Sequence, residues 1–129
     1  MILKRIHHVA LICADYQRSK YFYTDILGLS VLAEHYRIER DSYKLDLALP
    51  DGSQLELFSF PDAPARPSYP EAQGLRHLAF EVDSVHDWKA RLEHLGIAVE
   101  AIRTDEYTKR EFVFFADPDG LPLELYASA

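Results

Sequence analysis

The sequence predicts an α+β fold assembled from two βαβββ modules. Three observations predict it. One phrase occurs twice: residues 50–57 read Pro-Asp-Gly-Ser-Gln-Leu-Glu-Leu and residues 118–125 read Pro-Asp-Gly-Leu-Pro-Leu-Glu-Leu, each followed by an aromatic residue, Phe58 or Tyr126. A histidine opens an apolar run ahead of each copy, and the spacing from His8 to Glu56 is 48 residues and from His77 to Glu124 is 47. A helical pattern follows each histidine and stops at Gly28 or Gly96, 20 and 19 residues on. Self-similarity of this kind marks a duplicated supersecondary unit.

The elements follow in order. His-Val-Ala-Leu-Ile-Cys reads as a first strand. Asp15 is suited to cap a helix over residues 16–27, because its side chain can accept from a free backbone N–H of the first turn. Strands are expected at about 29–37, 43–49 and 53–60. The last two are joined through Asp51-Gly52, a strong hairpin signal. Residues 61–74 contain Pro61, Pro64, Pro67 and Pro70 and cannot be an inner strand or a helix interior, so they form the connector. The second copy repeats the plan. A strand is expected over 75–82, then Asp83 or Ser84 as cap and a helix carrying Val85, Trp88, Leu92 and Leu95. Strands at about 97–103, 110–116 and 121–127 complete it, the last two joined through Asp119-Gly120. The whole of residues 1–129 is read as a single domain, with module one at about 5–60 and module two at about 75–127.

The chain has 129 residues, 48% of them hydrophobic and 12% aromatic, which suffices for a globular core. Fourteen basic and twenty-one acidic residues give a net charge of −7, against nucleic acid or an anionic membrane as main partner. No apolar run approaches the roughly 20 residues that span a bilayer. The start has no signal-peptide organisation, and one cysteine excludes an intrachain disulfide. The expected compartment is the cytoplasm.

Strand alternation decides where the repeated polar residues point. Val9, Leu11 and Cys13 share one face; His8, Ala10 and Ile12 share the other. Leu78, Phe80 and Val82 oppose His77, Ala79 and Glu81. In the last strands Leu55, Leu57, Leu123 and Leu125 oppose Glu56, Phe58, Glu124 and Tyr126. The apolar set must face the helices, so both histidines and both glutamates project from the other, concave face. Ala10 and Ala79 leave room beside them. Two His and two Glu at matching places of two repeats form a candidate metal-ligand set: His8, Glu56, His77 and Glu124.

This pattern resembles the vicinal oxygen chelate superfamily, the glyoxalase/bleomycin-resistance/dioxygenase fold, over about residues 5 to 127. The ending Asp117-Pro118-Asp119-Gly120-Leu121-Pro122-Leu123-Glu124-Leu125 carries most of the likeness. The resemblance implies that curved mixed sheets of the two modules form a cup around one divalent metal ion. It implies that the first and last strands of each module are neighbours. It maps the four ligands of short glyoxalase I enzymes onto His8, Glu56, His77 and Glu124, with Glu124 the favoured catalytic base and Glu56 its counterpart. Nitrogen and oxygen ligands suit Ni, Zn, Co, Mn or Fe, and the resemblance leans to nickel. It also implies a homodimer, with ligands drawn from one chain or two.

Two positions depart from glyoxalase I. The arginine and asparagine that hold the glutathione carboxylate there correspond to Ile12 and Phe60 here. An unpaired carboxylate against those side chains is costly. The expected activity is therefore that of a metal-dependent lyase or isomerase on another small substrate with vicinal oxygens, through proton transfer by glutamate. Phe58, Tyr126, Ile12 and Phe60 are the expected pocket residues, and the proline-rich connector could shape the entrance. Arg37, Arg40, Asp41, Arg66, Arg103, Tyr107 and Arg110 are placed to rim the cup, though each also suits a solvated surface. His7 is expected on the opposite face from His8, and His35, His86 and His94 at the surface. Cys13 is expected as an inert core thiol. The alternatives are an epimerase, a thiol transferase, a dioxygenase, or a metal-independent small-molecule binding or resistance protein.

Overall fold

The computed structural model describes residues 1–129, which divide into two compact units, Met1–Ala65 and Arg66–Ala129. Each unit contains one four-stranded mixed sheet, and neither sheet closes into a barrel. No helix is long and apolar enough to cross a membrane.

In the first unit, β1 (His8–Cys13) leads to helix α1 (Tyr16–Tyr21), then to β2 (Ser30–Arg37), β3 (Ser42–Ala48) and β4 (Gln54–Ser59). The strand order is β1-β4-β3-β2, with β1 and β4 parallel. Asp15 caps α1 by accepting from the Arg18 N–H at 3.1 Å. The predicted helix over 16–27 is not uniform. After Tyr21 it widens into a π-helical turn, Phe22–Ile26, where the Leu27 N–H donates to the Phe22 carbonyl. The Thr24 hydroxyl donates to the Lys20 carbonyl at 2.7 Å, the back-bond by which a mid-helix threonine competes with the backbone ladder. The wide turn keeps Phe22, Tyr23 and Ile26 buried together. They pack with Cys13, Leu45, Leu47, Leu55 and Leu57, so Cys13 lies in the core as its strand parity requires.

The second unit comprises β5 (Leu78–Val82), α2 (Val85–His94), β6 (Arg103–Thr104), β7 (Glu111–Ala116) and β8 (Pro122–Ala127), in strand order β5-β8-β7-β6. Ser84 is the cap of α2, accepting from the Asp87 N–H at 3.1 Å. Val85, Leu92, Val113, Phe115, Leu123 and Leu125 form the core. The strand expected over 97–103 shrinks to two residues and a single bridge between Val99 and Phe115. Between that bridge and the Arg103–Phe112 pair the register shifts by one residue, which interrupts the ladder. The Lys89 ammonium donates to the carbonyls of Val99 and Glu100 in that stretch, at 3.3 and 3.0 Å.

The two Asp-Gly turns share one construction. The Gly52 N–H donates to the Leu49 carbonyl, the Gly120 N–H to the Asp117 carbonyl, and the two glycines have φ of 87° and 83°. Asp51 and Asp119 keep negative φ, so the loops are three-residue turns closing on a left-handed glycine rather than two-residue primed turns. A side chain at either glycine would be strained by that backbone angle alone.

Outside the sheet, α1 is tied to β2. Tyr16 stacks on Tyr43 with centroids 4.1 Å apart, and its hydroxyl donates to Glu34. Lys20 also reaches Glu34, at 2.7 Å. The hydrogen bond from Lys20, and then that from Tyr16, hold the Glu34 carboxyl below its ordinary value of about 4.5. A carboxylate depressed in the folded state stabilises the fold above its ordinary value, and that contribution fades as the pH falls through the folded-state value. The stability difference between wild type and Glu34→Gln should therefore shrink between about pH 6 and about pH 3 in urea titrations. Leu123→Ala, at a fully buried site, should cost about 2–5 kcal/mol. Ser84→Ala should cost about 1 kcal/mol through loss of the cap.

Candidate functional site

Parallel pairing of the first and last strands brings each histidine beside its glutamate. In the first unit Glu56 lies opposite Ala10, and His8 is one pleat away, opposite Gln54. In the second, Glu124 lies opposite Ala79, and His77 immediately precedes β5. The two alanines provide the space into which the glutamates turn. His8 Nε2 lies 3.4 Å from a Glu56 carboxylate oxygen, and His77 Nε2 lies 3.5 Å from one of Glu124. The glutamate side chains are 15% and 13% exposed, the histidines 41% and 29%.

These separations bear on what the pairs can hold. At 3.4–3.5 Å the donors are farther apart than the roughly 2.7–2.9 Å of a charge-assisted hydrogen bond. Two ligands each about 2.1 Å from a shared ion lie about 3.4 Å apart when the angle at the ion is near tetrahedral. An imidazole nitrogen and a carboxylate oxygen are also the donor types that first-row divalent metals accept. The pairs therefore fit the chemistry of a divalent ion. Each unit supplies one such pair, and neither brings three His, Cys, Asp or Glu side chains together.

His8 is oriented by its neighbour. His7 Nδ1 and His8 Nδ1 are 2.9 Å apart, with the rings edge to face, leaving His8 Nε2 toward Glu56. An outer hydrogen bond of this kind fixes which ring nitrogen can ligate. Alternation along the strand separates His7 from the face of His8 and gives no sign of this contact. In the second unit His77 Nδ1 is buried without a hydrogen-bond partner, and its ring is held edge-on against Phe114 at 5.0 Å.

The surroundings of the two glutamates differ. Across from Glu56 stands Asp46, and Lys44 bridges them, 2.6 Å from Asp46 and 3.9 Å from Glu56. The matching positions beside Glu124 are Phe114 and Phe112. Burial accordingly pushes the Glu124 carboxyl above its ordinary value, and Asp105 adds to this, while His77 and Arg103 pull it down.

The expected pocket residues carry more charge than their own types suggest. The Arg37 guanidinium lies 5.0 Å from the Phe58 ring centre and 5.6 Å from that of Phe60, a cation–π arrangement over both rings. Ile12 is exposed. Tyr126 stacks on Phe112, and its hydroxyl donates to Asp105 at 2.9 Å and contacts the Thr108 hydroxyl. The other Asp105 oxygen accepts from the Tyr107 and Thr108 N–H groups. Those backbone bonds, and then the one from Tyr126, hold the Asp105 carboxyl below its ordinary range. Arg103 lies over Phe112 and Phe114, at 4.9 and 5.5 Å. The second unit also contains a pocket of about 560 Å³ with His77, Phe114, Arg66, Arg76 and Arg103 among its walls. His86 is exposed and paired with Glu111, away from these pairs.

Comparison with known proteins places this arrangement in a family. Residues 5–125 match the model of the Glyoxalase/Bleomycin resistance protein/Dioxygenase superfamily. The chain belongs to that superfamily. It is 57% identical over 126 residues to the uncharacterized protein YwkD of Bacillus subtilis, covering 98% of both chains. It is 57% identical over 124 residues to the uncharacterized protein YaeR of Escherichia coli, covering 96% of both. A glyoxalase family protein from Enterococcus faecalis superposes with a TM-score of 0.90 at 50% identity, over 98% of this chain and 99% of that one. More distant members include the metallothiol transferase FosB of Staphylococcus saprophyticus, 28% identical over 97% of this chain and 78% of its own. A lactoylglutathione lyase from Agrobacterium tumefaciens is 26% identical with a TM-score of 0.72, over 98% of this chain and 95% of that one. The superfamily thus includes lyases and transferases acting on small molecules, and its members commonly bind a divalent metal.

The Tyr126–Asp105 contact should hold the loop after β6 in place. Tyr126→Phe should quicken amide exchange at Tyr107, Thr108 and Lys109 while leaving the amides of β7 and β8 protected, as read by hydrogen-exchange NMR.

Proposed function

We propose that the protein is a metal-dependent lyase or isomerase that moves a proton on a small substrate bearing vicinal oxygens. The observation that carries this reading is the repeated pair: one His and one Glu, 3.4 and 3.5 Å apart, on corresponding strands of both units. His8, Glu56, His77 and Glu124 are the proposed ligands of one divalent ion, of which Ni, Zn, Co, Mn and Fe all suit the donor set. When bound, that ion supplies Lewis acidity to the substrate's paired oxygens.

The residues of the chain do the rest. Glu124 takes the proton from the carbon beside the substrate oxygen and returns it to the same or the neighbouring carbon. The two phenylalanines beside it keep water from the carboxylate, and His77 keeps it turned toward the reacting face. Glu56, with Lys44 3.9 Å away, holds its place beside His8. In this reading residues 1–129 act as a single domain and the working form is a homodimer in the cytoplasm. Ile12, Val31, Leu32, Tyr36 and Ile38, all exposed apolar side chains, support the dimer.

Metal analysis of protein purified without chelator tests the assignment. About one divalent ion per chain is expected, removable by chelator and restored by Ni or Zn. His8→Ala and Glu124→Gln should each lose it with the circular dichroism spectrum unchanged. Undiminished metal in both variants would remove the four residues from the site. Metal-loaded wild type should exchange a substrate carbon-bound proton with D2O, and Glu124→Gln should lower that rate by at least the about 10²–10⁴-fold that a general base contributes, loss of the metal adding to it.

A second reading, binding of a small molecule without metal, is favoured by one observation: neither unit by itself assembles three donors. It predicts no metal after reconstitution.

A further inference from the structure

Of the three arginines that line one pocket of the second unit, one has no carboxylate beside it. Three arginines line the 560 Å³ pocket that also contains His77. Arg76 pairs with Glu71, and Arg103 lies 3.5 Å from Glu100. Arg66 has neither. It is half-buried, and its Nη2 donates to the carbonyls of Leu75 and Arg76, both at 3.1 Å. Its Nε is buried with no acceptor at all. Two neutral carbonyls orient a guanidinium but do not neutralise it, and the buried Nε–H is left without the acceptor that buried polar groups ordinarily have. The two carbonyl bonds also fix the side chain ahead of any ligand, which reduces the entropy lost on binding.

We propose that this pocket is a subsite for an anionic group of the substrate, a carboxylate or a phosphate, with Arg66 as its counter-ion and Arg103 as a second donor. The proposal rests on the reading of His77 given above and names the substrate class for it: a small organic anion whose reacting oxygens lie within one pocket's reach of its charged end. The volume suits this, since small-molecule sites run to about 300–1,000 Å³. A chain of net charge −7 repels anions at long range, so selection of an anion has to come from local cations. Phe114, shared between this pocket and the setting of His77, gives the remainder of the molecule an apolar wall.

The test uses the full chain with its arginine side chains labelled with ¹⁵N, its metal content measured on the same preparation. Propionate and inorganic phosphate are titrated while the Arg66 Nε–H resonance is followed. A saturable downfield shift of that resonance is expected in wild type, and in Arg66→Gln, read on the Arg103 Nε–H resonance, binding should weaken by about tenfold or more, the worth of one charge-assisted bond. Arg103→Gln should weaken it less. Saturation by propionate alone or by phosphate alone identifies the anion as carboxylate or phosphate. No saturable shift in wild type would overturn the proposal, and that result does not depend on any variant folding. So would equal affinity in a folded Arg66→Gln. Metal present without anion binding sinks the subsite and leaves the metal reading; Arg66-dependent binding in protein that takes up no metal does the reverse.

Discussion

Parallel pairing of β1 with β4, and of β5 with β8, is the constraint on which the rest depends. A parallel pair needs a long crossover, and in each unit the helix and the two intervening strands provide it. The crossover covers one face of the sheet with the helix, so the leucines of β4 and β8 turn toward it. Strand alternation then leaves Glu56 and Glu124 no choice of side. Because the first strand lies directly alongside, its histidine falls within 3.5 Å of the glutamate in both units. One packing requirement thus fixes the core and the functional face together.

Most of this was legible in the sequence because it rests on local rules. The Pro-Asp-Gly phrase, the glycine helix stops, the caps at Asp15 and Ser84 and the alternation of Leu-Glu-Leu each act within a few residues. What escaped depends on side chains from distant segments. The strand expected over 97–103 is interrupted by a register shift against β7, in a stretch whose carbonyls Lys89 holds from ten and eleven residues away. The π-helical turn after Tyr21 answers to the burial of Phe22, Tyr23 and Ile26 together. Arg37 turns Phe58 and Phe60 from a purely apolar wall into a support for a guanidinium. The contact of His7 with His8 crosses the alternation rule, because Nδ1 of adjacent residues can meet around the strand edge.

The candidate site was legible to a different degree. The His–Glu pairs follow from spacing and parity alone, and the structure brings each pair together. The surroundings of the glutamates did carry a usable signal: Lys44 and Asp46 have the parity that places them on the face of Glu56, two residues apart in a predicted strand. The unpaired charge of Arg66 carried none, since it depends on where the carbonyls of Leu75 and Arg76 end up.

The duplicated halves share one strand order, and around their glutamates they differ on one strand. Lys44 and Asp46 in β3 occupy the register held by Phe112 and Phe114 in β7. One half therefore presents its carboxylate inside a charge network, and the other presents an otherwise identical carboxylate against hydrocarbon. Two positions on one strand give the glutamates different neighbours. The repeated framework thus carries two carboxylates with the same backbone setting and different chemical surroundings.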